Sequence, residues 1–283
     1  RWSGDWSSDV CSSDLYLETL GARITYIPVH ENGQINLTAL ESAISENTTL
    51  ISIMTANNET GTIQPINAIQ NLASKHQIPF HTDAVQAIGK LPIHVTENKV
   101  DFLSLSGHKV YATKGIGALY IKDETQLTPL LIGGGQERGL RASTVNVPAI
   151  CGLAEALTPQ NQCNLQNMHA LSNYFWHELN KTVPHIIRNG DPENCLPGTL
   201  NISFDGLSAE ALAIKLDLAG IAVSLGSACS SGSPEPSAVL TAMGLPKNRL
   251  NSAIRFSLGA FTTQNDIDTV LEHLKTMVPQ LRK

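Results

Sequence analysis

Lys109 closes the run Ser104-Leu105-Ser106-Gly107-His108-Lys109, at the end of the apolar stretch Phe102–Leu105. Cys229 sits far downstream in Gly226-Ser227-Ala228-Cys229-Ser230-Ser231-Gly232, with Ser233, Pro234 and Pro236 just beyond. The first run offers an amine beside hydroxyl and imidazole groups at the end of a predicted strand. The second offers a thiol among residues with little bulk to pin it. A deprotonated lysine forms Schiff bases, and a thiolate is a strong nucleophile. Together they point to an aldehyde cofactor and to sulfur passing onto cysteine.

Other polar groups gather at comparable places. Asn57, Asn58 and Glu59 follow the apolar run 50–54, and Asp83 follows the run 78–81. Ligands in open α/β sheets bind beyond the carboxyl ends of the strands, so neighbouring strands would bring these clusters to one rim. Asp83 and Gln86 are spaced i, i+3 and would face the same way on a helix. The carboxylate suits a protonated pyridine nitrogen and the amide a ring oxygen; taken alone, Asp83 is better explained as an N-terminal residue that stabilises a helix dipole. Ser106 and His108 suit a phosphate, and Thr144, behind Arg141, offers a hydroxyl to an anion. His81 and Asp83 alternate on a strand and could share a metal, but no further spaced ligands complete such a site. Arg255 lies on the alternating run 254–258, where a buried guanidinium calls for a carboxylate, and a substrate can supply it. Cys151, flanked by Ile150, Leu153 and Ala154, reads as a small buried hydrophobe. The polar surroundings of Cys229 predict an exposed, mobile thiol instead.

Length, charge and hydropathy bound the rest. The chain has 283 residues, 42% of them hydrophobic and 16% charged, with a net charge of −6, as in ordinary globular proteins. No basic stripe interleaves with aromatics, so nucleic acid is not an expected partner. No apolar run reaches a membrane span. The cysteines are Cys11, Cys151, Cys163, Cys195 and Cys229, an odd set without a CxxC pair. They argue against a disulfide framework and for a reducing cytoplasm.

The elements that must position these groups alternate in type. Leu37, Leu40 and Ile44 share a helical face, and Pro65 opens a second helix through Ile66, Ile69 and Ala73. With the apolar runs between them, this predicts a mostly parallel sheet covered by helices. A smaller α+β domain follows, entered by a helical connection near residues 149–180. Its predicted parts are a half-buried strand over 200–204, a helix capped by Ser208 and stopped at Gly220, and a final helix opened by Thr263 and Asp266. The boundaries expected are 15–165 for the large domain and 166–283 for the small one. Residues 1–14 are rich in Ser, Asp and Trp and without period. They resemble translated adapter sequence and are treated as a non-native tail.

From about Tyr16 onward the chain resembles a cysteine desulfurase of the NifS/IscS type, within the class-V aminotransferase superfamily. The resemblance rests on the stretches 29–33, 57–61, 81–90, 106–111, 114–120, 133–147, 197–204, 226–236 and 254–262, and the Gly-Ser-Ala-Cys sequence marks the NifS/IscS class. It implies the type I fold of pyridoxal-phosphate enzymes. It further implies that Lys109 holds the cofactor as a Schiff base and moves protons, that Asp83 pairs with the pyridinium nitrogen and that Gln86 reaches the ring oxygen. Asn58 then lies at the cofactor and substrate edge, Ser106 and His108 bind phosphate, and Thr144 binds the phosphate in the partner subunit of a homodimer. Arg255 holds the carboxylate of L-cysteine. Cys229 takes the sulfur as a persulfide, releases L-alanine, and hands sulfur to an acceptor such as an iron–sulfur scaffold. The chain has no metal of its own in this reading, beyond transient contact of Cys229 with scaffold iron–sulfur.

The chain departs from the family pattern where Ala112-Thr113 replaces Gly-Pro and where Ser143 replaces Gly. The family also carries roughly a hundred further residues before this point, a domain-scale difference. That stretch holds a phosphate-binding threonine turn and a histidine that stacks on the cofactor. The sequence is therefore expected to be N-terminally truncated, with an incomplete large domain. The alternatives are another class-V enzyme, such as a selenocysteine lyase, and an inert fragment.

Overall fold

A computed structural model describes residues 2–4, 12–98, 100–122, 127–158, 164–226 and 237–282. A six-stranded sheet runs in the order β2-β1-β3-β4-β5-β6, from β1 (Trp2–Gly4), β2 (Ile24–Tyr26), β3 (Leu50–Ser52), β4 (Phe80–Asp83), β5 (Phe102–Ser106) and β6 (Gly117–Ile121). All neighbours are parallel except β5 and β6. The expected mostly parallel sheet is thus present, with one antiparallel edge. Trp2–Gly4 belongs to the stretch whose composition predicts no element, yet it pairs with both β2 and β3. Such pairing is made by backbone groups and needs no side-chain period.

Helices α1 (Ser12–Thr19), α2 (Leu37–Ala43), α3 (Ile66–Lys75) and α4 (Val95–Asn98) connect these strands. Asn36 starts α2 by accepting a hydrogen bond from the Ala39 N–H at 2.9 Å. Pro65 precedes α3, as its fixed φ favours. Leu40, Ile51, Ile69, Phe80 and Leu103 are buried between helices and sheet. Each fully buried aliphatic or aromatic side chain of this kind contributes roughly 1.5–3 kcal/mol.

A second, antiparallel sheet orders as β7-β8-β9, from β7 (Ile186–Asn189), β8 (Thr199–Phe204) and β9 (Ala253–Ser257). Around it lie α5 (Val147–Ala156), α6 (Asn164–Thr182), α7 (Ala209–Leu218), α8 (Ala238–Ala242), α9 (Lys247–Leu250) and α10 (Gln264–Leu281). Ser208 caps α7, Gly220 follows its end with φ +78°, and Thr263 with Asp266 forms a reciprocal capping box on α10. β8 is not half-buried as its alternation predicts; all six of its residues are buried. Its apolar face, Leu200, Ile202 and Phe204, meets Phe175, Leu212 and Leu271. Its polar face is satisfied internally. Asn201 donates to the Glu59 carbonyl at 3.4 Å, and Ser203 donates to the Arg249 carbonyl at 2.9 Å. Alternating polarity here marks a second, hydrogen-bonded protein contact rather than solvent.

Candidate active site

β3, β4 and β5 are neighbours and parallel, so their carboxyl ends open on one edge. The Thr55 N–H donates to the Asp83 carbonyl at 2.7 Å, and the Ala84 N–H donates to the Ser104 carbonyl at 2.9 Å. The three predicted clusters, around Asn58, Asp83 and Lys109, therefore do share a rim. His81 lies beneath it. Its Nδ1 meets Ser52 Oγ at 2.7 Å and its Nε2 meets Ser104 Oγ at 2.8 Å. Both ring nitrogens are used in bridging β3, β4 and β5, which leaves neither for a metal. Burial lowers the proton affinity of His81, opposed by the Asp83 carboxylate.

After Asp83 the chain does not continue as the helix that the Asp83–Gln86 spacing assumes. Asp83 Oδ1 accepts from the Val85 N–H at 2.8 Å, and residues 85–90 form tight turns. Gly89 ends them at φ +72°, where a Cβ would lie 3.0 Å from Val110 Cγ1. The absent side chain lets this turn pack directly against the residue following Lys109.

Lys109 ends a short 3-10 turn, Gly107–Lys109. Gly107 is buried, and a Cβ there would meet Ile116 Cγ2 at 2.6 Å, so the close approach to the strand opening β6 needs glycine. Ser106 Oγ and His108 Nδ1 lie 2.7 Å apart, holding the two predicted phosphate ligands together. His108 and Lys109 are exposed on the rim. Tyr111, at φ +66°, accepts a hydrogen bond from the Ala260 N–H at 2.6 Å and sets its ring edge against Phe261. That contact ties the lysine turn to the segment after β9.

Arg255 reaches the rim from β9. Its Nη1 donates to the Asn58 carbonyl at 2.9 Å and its Nη2 to Ser224 Oγ at 3.2 Å. The Asn58 side chain is left with a buried Oδ1 that has no hydrogen-bond partner among the described residues. A buried polar atom of this kind at the mouth of a site is where a ligand's donor belongs. The turn after β3 holds it there: Asn57 Oδ1 accepts from the N–H groups of Glu59 and Thr60 at 2.9 and 2.8 Å.

Lys90 is a rim group to which sequence reasoning gives no role. Burial first, then the charges of Lys109 and Arg255, push its pKa down to about 8. Three cations drawn together suit an anionic ligand. The only signal for it in the sequence is a lysine between Ile88 and Leu91, a weak one.

Thr144 is exposed in a stretch whose hydrogen bonds are local, and none among the described residues joins it to the rim. Ser143 beside it sits at φ +104°, a backbone conformation that favours glycine. Cys229 lies outside the described residues; the chain is described up to Gly226 and again from Ser237. Cys151, read from sequence as buried, is exposed. It shares α5 with exposed Val147 and Ile150, while Ala149 and Leu153 face inward. Cys195 is partly covered, and burial raises its thiol pKa.

Residues 4–270 match the class-V aminotransferase family description. The cysteine desulfurase IscS of Dictyoglomus turgidum is 43% identical over 270 residues, 94% of this chain and 68% of the relative. A cysteine desulfurase of Nostoc sp. is 45% identical over 269 residues, 94% and 67% of the two chains. A solved structure of a NifS-like protein superimposes with a TM-score of 0.89 at 33% identity, covering 99% of this chain and 76% of that one. The chain thus spans about two thirds of the length of these curated relatives.

Proposed function

Because the chain belongs to the class-V aminotransferase family, we propose that its rim is the site of a pyridoxal-phosphate-dependent cysteine desulfurase, in which Cys229 receives sulfur from L-cysteine. The observation that carries the reading is the convergence of three strand ends with Arg255 around the unsatisfied Asn58 Oδ1. The donor set fits the cofactor. Asp83 ends β4 with a carboxylate for a cationic ring nitrogen, and Gln86 lies in the tight turns beyond it for the ring oxygen. The Ser106–His108 pair and the cationic surroundings of Lys90 and Lys109 suit a phosphate.

Pyridoxal phosphate, when bound, supplies an electron sink that weakens bonds around the substrate Cα. Lys109 holds the cofactor and moves the proton at that carbon. Arg255 and Asn58 orient the substrate, the guanidinium taking the carboxylate. The Cys229 thiolate attacks the substrate sulfur. The C–S bond breaks as the S–S bond forms; the carbon keeps the electron pair, gains a proton and leaves in L-alanine. The oxidised sulfur remains on Cys229 as a persulfide, for an acceptor protein such as an iron–sulfur scaffold.

A homodimer belongs to the same reading. Leu130 and Ile132 are 93% and 90% exposed, and Val147 and Ile150 are exposed on the outer side of α5 nearby in sequence. Apolar surface of this kind suits a second copy, with Thr144 on the same stretch to reach the partner's phosphate. No helix among the described residues is long and apolar enough to cross a membrane, and a cytoplasmic setting with domains at 15–165 and 166–283 completes the proposal.

The test is product analysis of the purified chain with pyridoxal phosphate and L-cysteine. Alanine and reductant-released sulfide in equal amounts support the reading. Cys229→Ala is expected to retain the absorbance change on adding cysteine while forming no alanine. A keto acid product, or undiminished turnover in Cys229→Ala, overturns it.

A further inference from the structure

We propose that Tyr111 is a positioning residue that holds the Lys109 turn in register with the strand carrying Arg255, an inference resting on the desulfurase reading above. Two tight turns meet at its phenol. In the first, the Gly107 carbonyl accepts from the N–H groups of Val110 and Ala112, each at 3.0 Å, and closes the chain around Lys109. The second lies just beyond β9. There the Gly259 N–H donates to Thr262 Oγ1 at 2.9 Å, and the Gly259 carbonyl accepts from the Thr262 N–H at 3.1 Å. Leu258, between this turn and the strand of Arg255, is pinned by donating its N–H to the Gly198 carbonyl at 2.8 Å.

Each turn is shaped by its own short-range hydrogen bonds. The Tyr111 phenol oxygen joins them by accepting from the Ala260 N–H at 2.6 Å. Three features serve this one contact. Tyr111 holds φ +66°, a left-handed conformation that is rare for an aromatic residue and persists where its surroundings impose it. Gly259 leaves the space that the phenol fills, since a Cβ there would lie 2.6 Å from the phenol oxygen. Phe261 stands at 74° to the Tyr111 ring with centroids 5.5 Å apart, the edge-on arrangement that aromatic quadrupoles favour. Tyr111 and Phe261 are 62% and 82% exposed, so little apolar burial depends on them. A strained aromatic kept at the surface, two residues from the proposed cofactor lysine, is accounted for by position rather than by packing.

The chemical consequence is one of alignment. In the reading above, Lys109 moves the proton on the substrate Cα while Arg255 holds the substrate carboxylate. The two groups come from different sheets, Lys109 from the turn after β5 and Arg255 from β9. A misplacement of about 1 Å in a reacting geometry costs up to about a hundredfold in rate, so a register that is loosened but not lost costs about tenfold. Tyr111 acts on the rate through the two turns it joins, and Arg255 keeps its own hold on the carboxylate.

The contact can be broken from either side. Tyr111→Phe removes the acceptor and keeps the ring; Gly259→Ala keeps the phenol and pushes it away, moving only the far end of a side chain. Single-turnover alanine formation at saturating cysteine is expected to fall about tenfold in each variant. The cysteine concentration at half-saturation stays within about twofold, and the thermal midpoint moves by less than about 4 °C. The double variant is expected to be about tenfold slow as well, because both substitutions remove one shared contact. Amide exchange rises at Ala260 in Tyr111→Phe, and at Val110 and Ala112 in Gly259→Ala. A double variant about a hundredfold slow shows that the two residues act independently and overturns the proposal. An unchanged rate in Tyr111→Phe, or unchanged exchange at Val110 and Ala112 in Gly259→Ala, also overturns it, as does a rate loss that follows a larger fall in thermal midpoint. If the unmodified chain forms no alanine, the desulfurase reading fails, and the exchange data still decide whether the segment after β9 positions the lysine turn.

Discussion

Replacing Lys90 by Met is expected to stabilise the cofactor-free protein, and only below a definite pH. The Lys90 ammonium is held among Lys109, Arg255 and the Cys195 thiol, and its pKa falls from 10.5 to about 8, chiefly through burial. At about 1.4 kcal/mol per pKa unit this corresponds to roughly 3 kcal/mol, and the partial exposure of the side chain leaves about 2 kcal/mol to be expected in practice. The sign follows from proton binding. Between pH 8 and 10.5 the unfolded chain carries more protons at this site than the folded one, so wild-type stability rises with pH across that window. Below pH 8 the penalty is fully present, and Lys90→Met removes it. Urea unfolding at pH 7 should place the variant about 2 kcal/mol above wild type, and the gap should close toward pH 10.5. Cofactor affinity should move the opposite way, since one cation facing the proposed anion site is gone. A variant less stable than wild type at pH 7, or a gap that does not change with pH, refutes the electrostatic reasoning.

Ser143→Gly relieves a left-handed backbone at φ +104° and should raise stability by about 1 kcal/mol, read as a rise of a few degrees in thermal midpoint. Gly107→Ala forces a Cβ to 2.6 Å from Ile116 Cγ2, so the Lys109 turn must shift. The expected result is loss of the visible absorbance band with pyridoxal phosphate while far-ultraviolet dichroism is retained. Asn189 donates to Asn201 and Ser203 and accepts twice from Arg249, so Asn189→Leu should cost about 2–4 kcal/mol in urea unfolding by stranding buried partners.

What the sequence discloses is what local rules decide. Ser208 and the Thr263–Asp266 pair open helices because their side chains reach N–H groups three residues on, a relation fixed within a few residues. The strand-end clusters were legible because a parallel sheet sends every such end to one edge. The misreadings share one cause, ignorance of the opposing surface. β8 alternates in polarity, but Asn201 and Ser203 meet other hydrogen-bonding groups of the protein rather than water. Cys151 sits among apolar residues, but on the uncovered side of α5. Lys90 becomes significant only when Gly89 packs on Val110 and sets it beside Lys109, a contact between residues distant in sequence that no periodicity records.

The turn after β3 is where the two sheets become one site. Asn57 folds it, the Asn58 carbonyl receives Arg255 from β9, and the Glu59 carbonyl receives Asn201 from β8. Gly61 continues it past Cys195, where a Cβ would lie 2.7 Å from the sulfur, and Thr62 donates to the Asn32 carbonyl while accepting from the Asp191 N–H. The parallel sheet alone presents Asp83 and Lys109 but no arginine, and the antiparallel sheet alone presents Arg255 without Asn58. The site proposed above, with Arg255 for the carboxylate of an amino acid, therefore comes together only where this turn is docked. Damage to the docking should remove substrate recognition before it removes either sheet.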